Sequence, residues 1–120
     1  MLPEVVLDAD QLYRRLQPDA ISAGAVVSVA FKKNGKPDDE ISVDLARLTT
    51  PQTVLRERPD FGLGMIVAGY PRSIGFAVLH DPQPENIAHS LIKGENSKTR
   101  CRLLAEQTIV LINPRRPIVS

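Results

Sequence analysis

Cysteine is almost missing from this chain: Cys101 is the only one in 120 residues, and tryptophan does not occur. A single thiol forms no internal disulfide. Cysteine-rich zinc folds, which need several thiolates, are excluded too. Aromatic side chains are limited to Tyr13, Phe31, Phe61, Tyr70 and Phe76. Proteins that grip single-stranded nucleic acid stack bases on several exposed rings, so nucleic acid is not the favoured partner. The core must rest on Val, Ile and Leu. An excess of one charge is also lacking, since 15 Lys and Arg face 14 Asp and Glu, for a net charge of +1. That rules out a strongly basic coat protein and an acidic tail protein, while leaving room for a local patch. Long apolar runs are absent as well. The run Ile109 to Ile112 is four residues long, against roughly 20 for a membrane-spanning helix. Met1-Leu2-Pro3-Glu4 has neither the basic start nor the apolar stretch of a secretory signal. With no disulfide either, the cytoplasm is the expected compartment.

Proline, by contrast, is plentiful. Ten prolines exceed the usual share of about 5%, and most stand where an element would end. The elements between them must be short. The length suits one domain, expected over residues 1–113, with 114–120 as a flexible tail.

Asp8 followed by Gln11 resembles a helix cap, with Leu7 and Leu12 as the staple pair. Leu12 and Leu16 then predict a first helix, ended by Pro18, with Arg14 and Arg15 near its C-terminal end. Val26 to Phe31 alternates as a strand. Asn34-Gly35 signals a turn, and Ile41, Val43 and Leu45 alternate with polar residues, so these two runs predict an antiparallel hairpin. Thr50-Pro51 marks the start of a brief helix. Leu63 to Val67 and Ile74 to Leu79 predict a second hairpin around Gly69-Tyr70-Pro71-Arg72. Gly62, Gly64 and Gly75 suggest bulges or close backbone approach. His80 to Pro84 should be extended. Asn86 is read as the cap of a helix carrying Ile87, Ala88, Leu91 and Ile92, with Gly94 as its stop. A last helix opens at Asn96 or Ser97 and puts Cys101, Leu104, Ala105 and Thr108 on one face. Ile109 to Ile112 suits either a final helical turn or an edge strand. The expected fold is α+β: an antiparallel sheet of about four strands, made of two hairpins, with three or four short helices on one face.

Two regions carry the most chemistry. The first is Asn96, Ser97, Lys98, Arg100 and Arg102 at a helix start, where free amides and the dipole favour anions, with Arg72 as a further cation. Residues 93–120 carry a net +4, and residues 1–92 a net −3. Gly94 to Thr99 is not a P-loop, because the glycine before Lys98 is missing and no strand is expected before it. The second region is His80, Asp81, Glu85 and His89. His80 and His89 suit a general base and acid acting on a phosphodiester; with Glu85 they also suit three metal ligands. The plainer reading makes them structural, and neither a metal nor a cofactor is expected. Cys101 sits on an apolar face and reads as core. Ser73 and Ser97 lack a nucleophile-elbow context, so no serine hydrolase is expected. Asp38-Asp39-Glu40 against Lys32, Lys33 and Lys36 reads as a self-screened loop. Arg115-Arg116 offers too little charge to hold RNA alone. The expected function is a small cytoplasmic, non-catalytic module that binds a partner protein or a small anionic ligand. The alternative is a metal-independent phosphodiesterase or nuclease using the histidine pair.

Overall fold

A computed structural model describes residues 1–115; Arg116 and the rest of the expected tail lie outside it. The first element, β1, is a strand at Gln11–Leu16, not a helix. Leu12 and Leu16 are fully buried on one side of it. A spacing of four residues puts two side chains on one face of a helix and equally on one face of a strand, so the leucines alone do not decide. Asp8, expected as a cap, lies in a turn instead, its carboxylate paired with Arg72; Asp10 closes that turn, accepting from the Leu7 N–H at 2.8 Å while its own N–H donates to the Leu7 carbonyl. Side chains of this type offer such turns in competition with helix starts.

The strand expected over Val26 to Phe31 does not form; only Val26 of that run is in a strand, and Ser28 to Phe31 are a turn. A 3-10 turn at Pro18–Ala20 leads into β2, Ile21–Ser22, which pairs with β3, Ala25–Val26. Ala23 and Gly24 both have positive φ between them, the geometry of the two-residue turns that match strand twist. The next turn, Ser28–Phe31, is 3-10 and drives Ala30 and Phe31 into the core. Asn34-Gly35 does make its turn, with both residues at positive φ. It joins only β4, Lys32–Lys33, to β5, Lys36–Pro37. The predicted hairpin between 26–31 and 41–45 is therefore not formed.

Glu40–Leu45 is the strand β6. Thr50 caps α1, Pro51–Val54, its hydroxyl accepting from the Thr53 N–H. Gly62–Val67 forms β7. The segment expected as a turn, Gly69–Ser73, is the short helix α2. It ends before β8, Ala77–His80, and leaves no second hairpin with β7. The helix expected from Asn86 is absent: β9, His89–Lys93, runs through its apolar stripe and pairs with β8. The Asn86 side chain takes the Ala88 N–H at 3.1 Å, turning the chain instead of capping a helix. The last helix, α3, spans Lys98–Gln107. Ser97 caps it, and Cys101, Leu104 and Ala105 are buried as its spacing predicts. Ile109–Ile112 is the edge strand β10.

The fold is a single compact α+β domain. Its main sheet has six strands, not four, in the order β10-β7-β1-β6-β9-β8, and every neighbouring pair is antiparallel. Gly64 lets the C-terminal end of α3 in close: a Cβ there would lie 2.6 Å from Thr108 Cγ2, the close approach that glycine in a strand suggests. One face of the sheet presents Leu12, Leu16, Ile41, Val43, Leu45, Ile66, Val78 and Ile92. Phe31, Cys101 and Leu104 close the core over it. The opposite face carries Tyr13, Arg15, Ser42, Asp44 and His89 and is only partly covered by α1. No helix among the described residues is long and apolar enough to cross a membrane.

Candidate functional site

The cations expected to form one anion site are mostly engaged elsewhere. Arg72 pairs with Asp8 at 2.8 Å and donates to the Val6 and Val78 carbonyls. Arg100 donates to the Glu95 carbonyl and lies 5.5 Å over the Phe76 ring. Asn96 ties loops together, donating to the Phe31 and Asp38 carbonyls. Ser97 is spent on the cap, accepting from the Arg100 N–H at 3.1 Å. Arg102 pairs with Glu106 one turn on. Lys98 and Arg102 do share an open groove with Lys32, between α3 and the segment after β3.

The two histidines do not meet. His80 faces Ser90 across the β8–β9 pair, and successive residues of a strand point to opposite faces. His80 is therefore on the core face and His89 on the open one. Both ring nitrogens of His80 are used: Nδ1 accepts from the Glu4 N–H at 2.8 Å, and Nε2 donates to the Ile87 carbonyl at 2.6 Å. The same separation breaks up the His80, Glu85 and His89 ligand set, and no group of three such side chains among the described residues is placed to hold a metal. Cys101 is fully buried, its Sγ 3.4 Å from the Phe31 carbonyl. Burial pushes its thiol pKa up, which suits core packing and not nucleophilic reactivity.

His89 instead lines a polar cleft of about 460 Å³ on the open face. Strand residues Tyr13, Arg15, Ser42, Asp44 and His89 make its floor. Thr49 to Glu57 form one wall and Gln83 to Asn86 the other. The second wall is well fixed. Gln83 and Asn86 exchange main-chain hydrogen bonds, both at 3.0 Å. Asn86 Nδ2 donates to Asp44 at 2.7 Å, and Gln83 Nε2 donates to Asp81 Oδ2 at 3.0 Å.

A split in the sheet opens beside this floor. β1 and β6 pair only at Leu12–Leu45 and Tyr13–Asp44. Leu45 N–H donates to the Ala88 carbonyl at 2.8 Å, so alternation turns the main chain of Asp44 and Ser42 toward β1. A continued ladder would give the Ser42 carbonyl to the Arg15 amide. Arg14 takes it instead, through Nη1 at 2.7 Å, while its Nε donates to the Ala30 carbonyl at 2.9 Å. Burial lowers the Arg14 pKa, and the nearby Asp38 and Asp44 oppose that shift.

His89 is held by Asp81 and reaches Ser42. Its Nδ1 is 3.0 Å from the Asp81 carbonyl and 3.2 Å from Oδ2 of the same residue. Both partners are acceptors, so in the neutral ring Nδ1 carries the proton. Nε2 then offers its lone pair to the Ser42 hydroxyl at 3.4 Å. Sequence reasoning reached Asp81 and His89 but missed Ser42. The signal lay in the strand itself, whose alternation from Ile41 to Leu45 turns Ser42 to the side opposite the core. Comparison with protein-family models, with curated proteins and with solved structures finds no match for this chain.

Proposed function

We propose that this chain binds a small anionic ligand in the cleft on the open face of the sheet. Ligand sites are typically concave, with a few polar groups converging on the ligand, and this cleft has that form. The observation that carries the reading is how the arginines are used. Arg47, Arg72 and Arg102 are held in ion pairs, and Arg100 is folded onto Phe76. Arg15 and Arg56 have no ion pair or side-chain hydrogen bond among the described residues, and both line the cleft. A carboxylate or phosphate entering there meets two guanidinium groups suited to bidentate contact, at the small cost of drawing together two exposed side chains. Of the acids that also line the cleft, Asp44 is turned toward Asn86, whose amide satisfies one of its oxygens.

A second reading keeps the Lys98 region. Lys98 and Arg102, the remainder of the patch expected from the sequence, share the groove beside α3 with Lys32. Thermal shift with phosphate, succinate, nucleotides and short RNA separates the two. A ligand at 100 times its Kd adds about 2.7 kcal/mol, which is a shift of roughly ten degrees for a domain of this size. Loss of the shift in Arg15→Ala/Arg56→Ala, with the Lys32→Ala/Lys98→Ala protein unaffected, supports the cleft. The reverse pattern assigns the groove. No shift with any ligand refutes both and directs the search to a partner protein.

A further inference from the structure

We infer that Ser42 is a nucleophile, activated by His89 and Asp81, and that the cleft transfers the acyl group of a carboxylic ester. The anionic character of that acyl group rests on the ligand-binding reading above; the relay itself does not.

The geometry has the order that nucleophilic catalysis needs. An orienting residue holds the base, and the base reaches the nucleophile. His89 Nδ1 is 3.0 Å from the Asp81 carbonyl, its hydrogen-bond acceptor, with the Asp81 carboxylate beside it at 3.2 Å, and His89 Nε2 is 3.4 Å from Ser42 Oγ. The same three residue types in the same roles recur on unrelated folds, in any chain order, so geometry and not sequence position identifies them. Distances of this kind are often long in the absence of substrate and tighten when it binds. His80 supplies a contrast within the molecule: both of its ring nitrogens are closed off by main chain, whereas His89 Nε2 faces an exposed hydroxyl.

The surroundings fit the chemistry. Ser42 stands on the cleft floor, where an ester can approach. Its N–H lies on the edge of β6 that faces β1, beyond the last residue pair of those strands. In the proposed reaction that amide would donate to the oxygen that becomes charged during attack, the role of an oxyanion hole. Arg14, bonded to the Ser42 carbonyl, fixes the strand at this point.

The steps balance as follows. Ser42 Oγ attacks the ester carbonyl carbon, and its proton passes to His89 Nε2. The carbon–oxygen bond to the alcohol breaks, and that oxygen leaves with the proton from His89. Water then attacks the acyl-serine and gives a proton to His89. The acyl–Oγ bond breaks, His89 returns the proton to Ser42, and a carboxylic acid is released.

The test is labelling of the full chain with a neutral fluorophosphonate. This probe forms an Oγ–phosphorus bond, and fluoride departs. Intact mass should show one added probe, mapped to Ser42. Ser42→Ala should take none. Asp81→Asn should label at least about tenfold more slowly, and Ser73→Ala should label as the parent does. Circular dichroism confirms that each variant is folded, and Ser42→Ala changes only an exposed hydroxyl. Folded parent protein that takes no label, or label retained in Ser42→Ala, overturns the proposal. Turnover of p-nitrophenyl acetate and of the p-nitrophenyl monoester of succinate separates the two readings. Hydrolysis of both, lost in Ser42→Ala and without preference for the charged ester, supports the relay and removes the anion reading. Succinate binding with neither label nor turnover does the opposite.

Discussion

Arg14 and Arg15 are adjacent and chemically identical, yet their removal should have very different consequences. Arg14 donates to two main-chain carbonyls, Ala30 at 2.9 Å and Ser42 at 2.7 Å, and its guanidinium lies 5.9 Å from the Phe31 ring centre. Arg15 is exposed and makes no such bonds among the described residues. Arg14→Ala leaves the part-buried Ala30 carbonyl and the Ser42 carbonyl at the split without their donor, at about 1–3 kcal/mol each, toward the low end for exposed Ser42. Losing the contact with the ring adds about 0.5–1 kcal/mol. Against this stands the relief of no longer burying a charge, the same burial that lowers the Arg14 pKa. A net loss of about 3 kcal/mol is expected, or roughly 12 °C in Tm for a domain of this length. Arg15→Ala should stay within about 0.5 kcal/mol of the parent, as exposed substitutions do.

Thermal and urea melts followed by far-ultraviolet circular dichroism measure both, with an unchanged urea slope confirming the same cooperative transition. Arg14→Lys sharpens the comparison. An ammonium is a point charge and does not reproduce the planar fork, so it should recover less than half of the loss. Equal stabilities for Arg14→Ala and Arg15→Ala would refute the account of the split between β1 and β6. So would full recovery by lysine.

Two further outcomes test the packing around the sheet. Gly64→Ala places a Cβ 2.6 Å from Thr108 Cγ2 and 3.2 Å from Leu16 Cδ1. Thr108 has little room to turn, because its hydroxyl is bonded to the Leu104 carbonyl at 2.7 Å; a loss of about 1–3 kcal/mol is expected from overpacking, and a neutral urea midpoint would contradict it. Cys101 should be inert to a thiol-reactive disulfide reagent in native buffer and react fully in denaturant, since reactivity needs an accessible thiolate. Stoichiometric reaction of the folded protein within minutes would show the Cys101 pocket to be open.

The parts of this fold legible in the sequence are those fixed by neighbours. Ser97 and Thr50 cap helices because a hydroxyl needs only an amide three residues on. Asn34-Gly35 turns because both positions tolerate positive φ. The 41–45 alternation is plain because one side is core. Harder to read was anything that depended on a remote partner. Leu12 and Leu16 suit a helix and a strand equally, and pairing with β7 along the whole of β1 decides for the strand. Ile87, Ala88, Leu91 and Ile92 form a helical stripe, but Leu91 and Ile92 also suit a strand, and pairing with β6 and β8 along the two edges of β9 decides for it. Among the site residues, the charges between Asn96 and Arg102 were visible as a group. Their dispersal onto Glu95, Phe76, Phe31 and Glu106 was not, because Phe76 and Phe31 are tertiary neighbours and the Glu95 and Glu106 contacts depend on rotamers, neither of which spacing encodes.

The loop between β8 and β9 argues that the cleft is more than a by-product of chain reversal. Those strands pair up to His80 and Ser90, and two residues suffice to turn a hairpin. Eight residues, Asp81 to Ala88, lie between His80 and His89. Pro82 and Pro84 stiffen this stretch, and the mutual Gln83–Asn86 hydrogen bonds close it. Its fixed contacts point to the open face: Asp81 to His89, and Asn86 to Asp44. A loop of this length pays ordering entropy for every residue it holds in place. Here that ordering sets a carboxylate against His89 and walls off the floor on which Ser42 stands. Shortening the loop to a two-residue turn would keep the strand pairing and remove the wall, so it separates the stability of the sheet from whatever the cleft does.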